Sequence, residues 1–167
     1  LTYGFVYTTP DLGEVVTQTA IVEALALWEA VTPVAFTGVV YCGLPFNDLA
    51  CAEPDIRILF GREDHGDPFP FNGAHGVLAN AFLLPPNVGS AAGDVHFDKD
   101  EQRSDSLPSS GIDLVTVAAH EIGHALGLDH AESEECPNPR TGVSALMCAC
   151  YTGPYRFLIA DDIAGIR

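Results

Sequence analysis

Eleven residues constrain this chain more than any others: His120-Glu121-Ile122-Gly123-His124-Ala125-Leu126-Gly127-Leu128-Asp129-His130. On an α-helix, residues i and i+4 differ by about 40° in azimuth and about 6 Å in rise, so His120 and His124 project from one face and can ligate one ion. Glu121 sits beside them, turned away from direct coordination, where a general base for a metal-held water belongs. His130 cannot come from the same continuous helix face. The chain must turn to bring it back, and Gly127 permits the turn because glycine takes positive φ cheaply. Three neutral imidazoles leave one position of a tetrahedral zinc open, the arrangement of a catalytic rather than a closed structural site. The short HExxH pattern alone is only suggestive. The added glycine and third histidine make chance occurrence in 167 residues small, and with it the competing reading of ordinary helix histidines.

The rest of the chain bounds what surrounds this segment. A length of 167 residues suits one domain able to bury a substantial core. With 47% apolar and 18% charged residues the chain is not of the disordered class. Twenty-three acidic against seven basic residues give a formal charge of −16, which excludes a nucleic-acid partner and disfavours anionic membrane surfaces. The same acidity suits hard cations such as calcium. No run of 18 uncharged apolar residues occurs, and the most apolar stretch, Ala24 to Phe36, is interrupted by Glu29, Thr32 and Pro33. No signal peptide is visible and the chain opens Leu1-Thr2-Tyr3 without Met, as a processed or trimmed piece would. Of the five cysteines none forms a CxxC pair. Cys42 and Cys51 bracket a turn-rich segment and suit a local disulfide, and Cys136 can pair with Cys148 or Cys150, leaving one thiol over. That usage points to an oxidising compartment.

Hydrophobic periodicity predicts strands at Thr2 to Thr8, Val34 to Tyr41, Asp55 to Phe60, Gly76 to Leu84 and Gly93 to Phe97. It predicts helices at Thr17 to Val31, with Ile21, Leu25 and Trp28 on one face, at Ile112 to Leu126, and at Ala160 to Ile166. Ser104 to Gly111 reads as a polar loop. The long Gly/Pro/Asp segment Gly61 to Gly73 should hold something. The result is a mixed α/β (α+β) layout, with one sheet and three helices and a composition shift near His130.

Met147, the only methionine, follows the histidine segment in Ser144-Ala145-Leu146-Met147. Together the two features resemble the metzincin zinc metalloproteases, whose second signature is a Met in a tight turn beneath the metal. Within that clan the chain resembles the matrixins almost end to end. The likeness runs through Leu1-Thr2-Tyr3, Ala26-Leu27-Trp28, Asp55 to Phe60, Pro70-Phe71-Asn72-Gly73, Leu78 to Phe82, His96-Phe97-Asp98 and Asp161 to Ile166. The resemblance implies a five-stranded, mixed, twisted sheet with three helices. It implies one catalytic domain over 1–167, with residues 1–130 above a cleft and 131–167 below it. It further implies a secreted, monomeric endopeptidase whose peptide substrate adds as an extended strand along Gly76 to Phe82, past Leu78 and Ala79, and to which an inhibitor or propeptide could also bind. Tyr151 matches the wall tyrosine of the specificity pocket. Cys148, Ala149 and Cys150 depart from the family's usual aromatic and proline there, and Ala131 departs from its usual Ser. In the implied mechanism zinc acidifies water and polarises the scissile carbonyl, while Glu121 takes the proton and passes it to the leaving amine. A non-catalytic zinc-binding or adhesion module on the same fold and a serralysin-like protease are the alternatives. The retained Glu121 weighs against the first, and the absence of Gly-rich calcium repeats against the second.

The resemblance also implies metals beyond the first. His65, Asp67 and His96 match three of four ligands of a second zinc, while the fourth histidine falls at Asn80, a poor zinc ligand. Either a weakened site survives, with His75 or water as fourth ligand, or calcium alone holds this loop. Asp98 and Glu101 match calcium ligands beside it, with Asn72 in place of an Asp, and Asp55 and Asp94 match ligands of other calcium sites.

Overall fold

The computed structural model describes residues 1–40, 54–86, 89–108, 110–132, 136–137 and 142–166. The chain runs through β1 (Thr2–Phe5), α1 (Gly13–Glu29), β2 (Thr37–Gly38), β3 (Ile56–Gly61), β4 (Ala79–Ala81), β5 (Val95–Asp98), β6 (Arg103–Ser104), β7 (Ile112–Asp113), α2 (Leu114–Ala125) and α3 (Ala160–Gly165). Five strands form one sheet in the order β2-β1-β3-β5-β4. The pairs are parallel except β4, which lies antiparallel on β5 at the edge, with Asn80 opposite His96.

The strand β3 explains why the sheet is covered on both faces. Its first five residues are all buried, and Ile56, Ile58 and Phe60 join the core while Arg57 is neutralised inside by Asp94. Phe60 stacks on Phe97 of β5 at 4.7 Å between ring centroids. On one side of the core α1 buries Ala20, Ile21, Ala24, Leu25 and Trp28, the expected three- and four-residue steps. Trp28 reaches α2, donating its indole N–H to the Ala119 carbonyl at 2.8 Å.

Some details differ from the expected elements, among them the strand expected at Val34 to Tyr41, which among the described residues is limited to Thr37–Gly38. Residues 76–84 contain only three in strand conformation, because the preceding loop closes through the Asn72 side chain, which accepts from the Val77 N–H. The stretch read as a polar loop is bounded by a short parallel pair, β6 with β7. Such a pairing rests on backbone bonds between segments that show no alternation, so periodicity does not reveal it. It delivers the chain into α2, whose N-cap Asp113 accepts from the Thr116 N–H at 3.0 Å. Cys136 and Cys148 form a disulfide and Cys150 is an exposed free thiol. The expected Cys42–Cys51 bridge lies outside the described residues.

Candidate active site

Helix α2 carries the first two ligands. Its buried face includes Val115, Ala118, Ala119 and Ile122, so His120 and His124 emerge on the opposite, half-buried side. Ring nitrogen Nδ1 of His120 lies 2.8 Å from the Leu146 carbonyl, and Nδ1 of His124 lies 2.7 Å from the Leu128 carbonyl. A carbonyl can only accept, so both rings donate from Nδ1 and present bare Nε2 lone pairs. Those two nitrogens are 3.0 Å apart. Two lone pairs at that separation repel unless a cation lies between them. Two ligands at about 2.0–2.1 Å on a tetrahedral zinc would themselves sit roughly 3.3 Å apart, so the pair fits that ion. Gly127, at φ +109°, turns the chain after α2. His130 returns with its ring 4.6 Å from that of His124 and 5.3 Å from that of His120. The ligand atoms of all three lie within 4.8 Å of one another. Burial pulls the His120 imidazole down to about 4 and also lowers His124, so both are neutral and able to ligate.

Glu121 is buried beside them, lining the same cleft. Burial pushes its carboxyl up to about 8, opposed by the charge of Arg103. Arg103 is itself buried and pulled down to about 10. It crosses from β6 to donate to the carbonyls of Leu78 and Asp98.

Met147 lies under α2 in a turn closed by Cys148 N–H on the Ala145 carbonyl. Its sulfur fills the space over Gly123, where an added Cβ would lie 2.5 Å from Sδ and 2.8 Å from Trp28. The turn is gripped by Asp162, whose carboxylate accepts the N–H groups of Leu146 and Met147 at 3.1 Å each and that of Ile159 at 2.8 Å. Sequence reasoning assigned Asp162 no role. The available signal was an acidic pair at the start of a short helix, which speaks for capping rather than for a clamp on a distant turn.

A cleft of about 810 Å³ runs above these residues. Tyr151, Leu78 and Ala79 line it, as do Thr116, Val117 and Tyr155. His75 also lines this cleft, exposed and at φ +68°, and so does not join the second metal-ligating group.

That second group consists of His65, Asp67 and His96, with side chains 0–4% exposed. Asp67 Oδ2 lies 2.9 Å from His65 Nε2 and 2.6 Å from His96 Nδ1. His65 already directs Nδ1 at the Glu63 carbonyl at 2.8 Å, so its Nε2 faces a carboxylate oxygen with a lone pair. A proton or a metal ion must sit between them, and the donor set suits zinc. Burial alone would raise the Asp67 carboxyl, yet the Phe69 N–H and the two histidines hold it below its ordinary value. Asn80 completes the wall, with Nδ2 3.5 Å from Asp67 and Oδ1 buried without a partner among the described residues.

The carboxylates expected at calcium divide differently. Asp98 and Glu101 are buried, and Glu101 accepts the Gly76 N–H at 3.0 Å, which places it against the turn that carries Asn72. Asp94 instead gives both oxygens to Arg57, at 2.8 and 2.7 Å, and Asp55 Oδ2 takes the N–H and hydroxyl of Thr2.

With that geometry established, the relatives of the chain are informative. The sequence profile of the matrixin peptidases matches residues 1–167. Karilysin of Tannerella forsythia is 42% identical over 149 residues, covering 89% of this chain and 27% of that protein. Stromelysin-1 of Equus caballus is 40% identical over 171 residues, covering 100% of this chain and 31% of that protein. The chain belongs to the matrixin family. It spans less than a third of the length of either relative.

Proposed function

We infer that this chain is the catalytic part of a zinc-dependent endopeptidase that cuts extracellular proteins. The observation that carries the reading is the meeting, on one cleft floor, of two bare Nε2 atoms 3.0 Å apart, His130 beside them and the buried Glu121. Zinc held by His120, His124 and His130 supplies Lewis acidity, polarising a peptide carbonyl and easing deprotonation of water. Glu121 accepts the proton of the attacking water and returns it to the leaving amine, so no covalent enzyme intermediate is needed. Hydrolysis is balanced: the C–N bond breaks, the carbonyl carbon gains the oxygen of water, and the amine leaves with the transferred proton.

Substrate binds as a strand along β4. The Leu78 carbonyl accepts the Asp98 N–H and the Phe82 N–H reaches the Asp94 carbonyl, so by alternation the main-chain groups of Ala79 and Ala81 face away from β5. They are free to pair with an added chain, while Tyr151, Leu78 and Ala79 shape the adjacent pocket. Residues 1–130 form the part above the cleft and 131–167 the part below. His65, Asp67 and His96 hold a second zinc more weakly than a four-ligand site would, and Asp98, Glu101 and Asn72 hold calcium. The protein acts as a secreted monomer that an inhibitor or propeptide could also occupy. The −16 charge disfavours nucleic acid, and among the described residues no helix is long and apolar enough to cross a membrane.

Cleavage-site profiling on a peptide library, with and without a zinc chelator, tests the activity. Loss of all cleavage in chelator and recovery on adding zinc are expected, and chelator-insensitive cleavage would remove the reading. Thiol counting on denatured, unreduced protein tests the oxidising compartment. Fewer than five thiols are expected, and five would contradict secretion.

A further inference from the structure

One wall of the cleft, residues 151–158, has no regular secondary structure and draws its shape from side-chain bonds. Those bonds converge on one residue, Asp113, through its backbone N–H and its buried carboxylate. The phenol oxygen of Tyr151 accepts the Asp113 N–H at 3.0 Å. The Tyr155 N–H donates to Thr116 Oγ1 at 2.8 Å, and that hydroxyl donates to Asp113 Oδ2 at 2.6 Å. Arg156 then grips Asp113 from the same wall segment, with Nε 3.1 Å from both carboxylate oxygens and Nη2 on Oδ1. Its guanidinium also reaches the Asp105 carbonyl and, at 3.5 Å, Glu23 on α1. The Asp113 side chain is fully buried and that of Arg156 is 17% exposed. A planar fork on a desolvated carboxylate is the strong, orienting kind of ion pair rather than the weak surface kind.

Asp113 is also the N-cap of α2, two helical turns before His120. The wall that carries Tyr151 and Tyr155 is therefore bolted to the start of the helix that carries the metal ligands. We propose that the Asp113–Arg156 pair is a positioning latch that fixes the width of the specificity pocket, and so sets how strongly the protein prefers a large apolar side chain beside the scissile bond. The choice of an apolar side chain follows from the lining, which includes Ile112, Val117, Leu78, Tyr151 and Tyr155. This inference rests on the pocket reading given above. It assigns a role to two residues that touch no substrate and act through Tyr151, Tyr155 and Thr116.

The test is a set of peptides matched except at the positions flanking the scissile bond, which carry Leu, Phe or Ala. It is run on zinc-loaded protein bearing Arg156→Met, Arg156→Lys, Asp113→Asn or both Arg156→Met and Asp113→Asn. Asn remains a good N-cap, and Met keeps the length of the stem without the fork. The preference for Leu or Phe over Ala should fall by about 5- to 20-fold in Arg156→Met and in Asp113→Asn, within the range that pocket fit to apolar groups can supply. The loss should come mainly through KM, because the catalytic groups are untouched. Arg156→Lys should recover part of the preference, and the double variant should lose no more than the worse single one. Unchanged preference in both single variants would overturn the latch. If Arg156→Met does not fold, Asp113→Asn decides alone. Val117→Phe, which narrows the pocket directly, separates the two levels of the argument. A changed preference there with none in the latch variants rejects only the latch, whereas no change in any variant rejects the pocket reading and the latch with it.

Discussion

Among the described residues two groups of three side chains could hold a metal ion, and they are built in opposite ways. His120, His124 and His130 are half-buried to exposed, all imidazole, and sit on the floor of an open cleft. His65, Asp67 and His96 are almost wholly buried, include a carboxylate, and are walled by Asn80. The first group faces the cleft and has the buried Glu121 next to it. The second spends its negative charge among its own histidines, and none of its three residues lines the cleft. Ligand chemistry alone is similar in the two. Access and the neighbouring group decide which can be catalytic.

The sharpest way to break this contrast is to remove the acid from each. Glu121→Ala should keep zinc and fold while losing about 10²- to 10⁴-fold in turnover, the usual scale for a general base. Asp67→Ala should leave the rate per folded molecule nearly unchanged and cost about 1–3 kcal/mol in denaturant unfolding, since two buried histidines lose their acceptor. Unimpaired turnover in the first variant, or a collapse of turnover in the second with fold intact, would undo the distinction.

The next effect concerns how the third ligand is delivered. Gly127 has no atom within 4 Å of a built Cβ, so space is not its constraint; its φ of +109° is. Gly127→Ala should cost about 1–3 kcal/mol of backbone strain and loosen His130, read as faster zinc loss to a chelator. Gly123→Ala tests the opposite constraint, because there the backbone is ordinary and Met147 and Trp28 are in the way. It should cost about 1–3 kcal/mol through overpacking while His130 stays in place. Equal zinc loss from both variants would show that the turn has no special part in holding the third ligand.

The smallest expected change sharpens the comparison rather than breaking it. Asn80→His gives the buried group a fourth nitrogen donor. Metal analysis after dialysis against a mild chelator should show more retained zinc per chain than in the unaltered protein, with turnover nearly unchanged. Equal zinc retention would show that Asn80 does not weaken the site.

The sequence made α2, the histidine segment and the Met turn legible because each is local: a four-residue step, a glycine where the chain must reverse, one methionine at a short distance. The strand order was not legible, and the apolar run Asp55 to Phe60 announced a strand without placing it at the centre of the sheet. The place of His75 was not legible: five residues from Asn80, it adopts positive φ and lines the cleft, outside the group formed by His65, Asp67 and His96. The pairing of Asp94 with Arg57, 37 residues away in sequence, was not legible either.

What the sequence by itself determined is the helix that spaces His120 and His124 and the glycine turn that follows it, because periodicity and glycine chemistry operate within a few residues. Only the tertiary structure decided which nitrogen His120 presents, since the Leu146 carbonyl that fixes its tautomer lies 26 residues away. Only it brought Asp162 to the Met turn and Arg156 to Asp113, 43 residues apart. A buried carboxylate must find its donors wherever the folded chain places them, and that pairing leaves no periodic mark in the sequence.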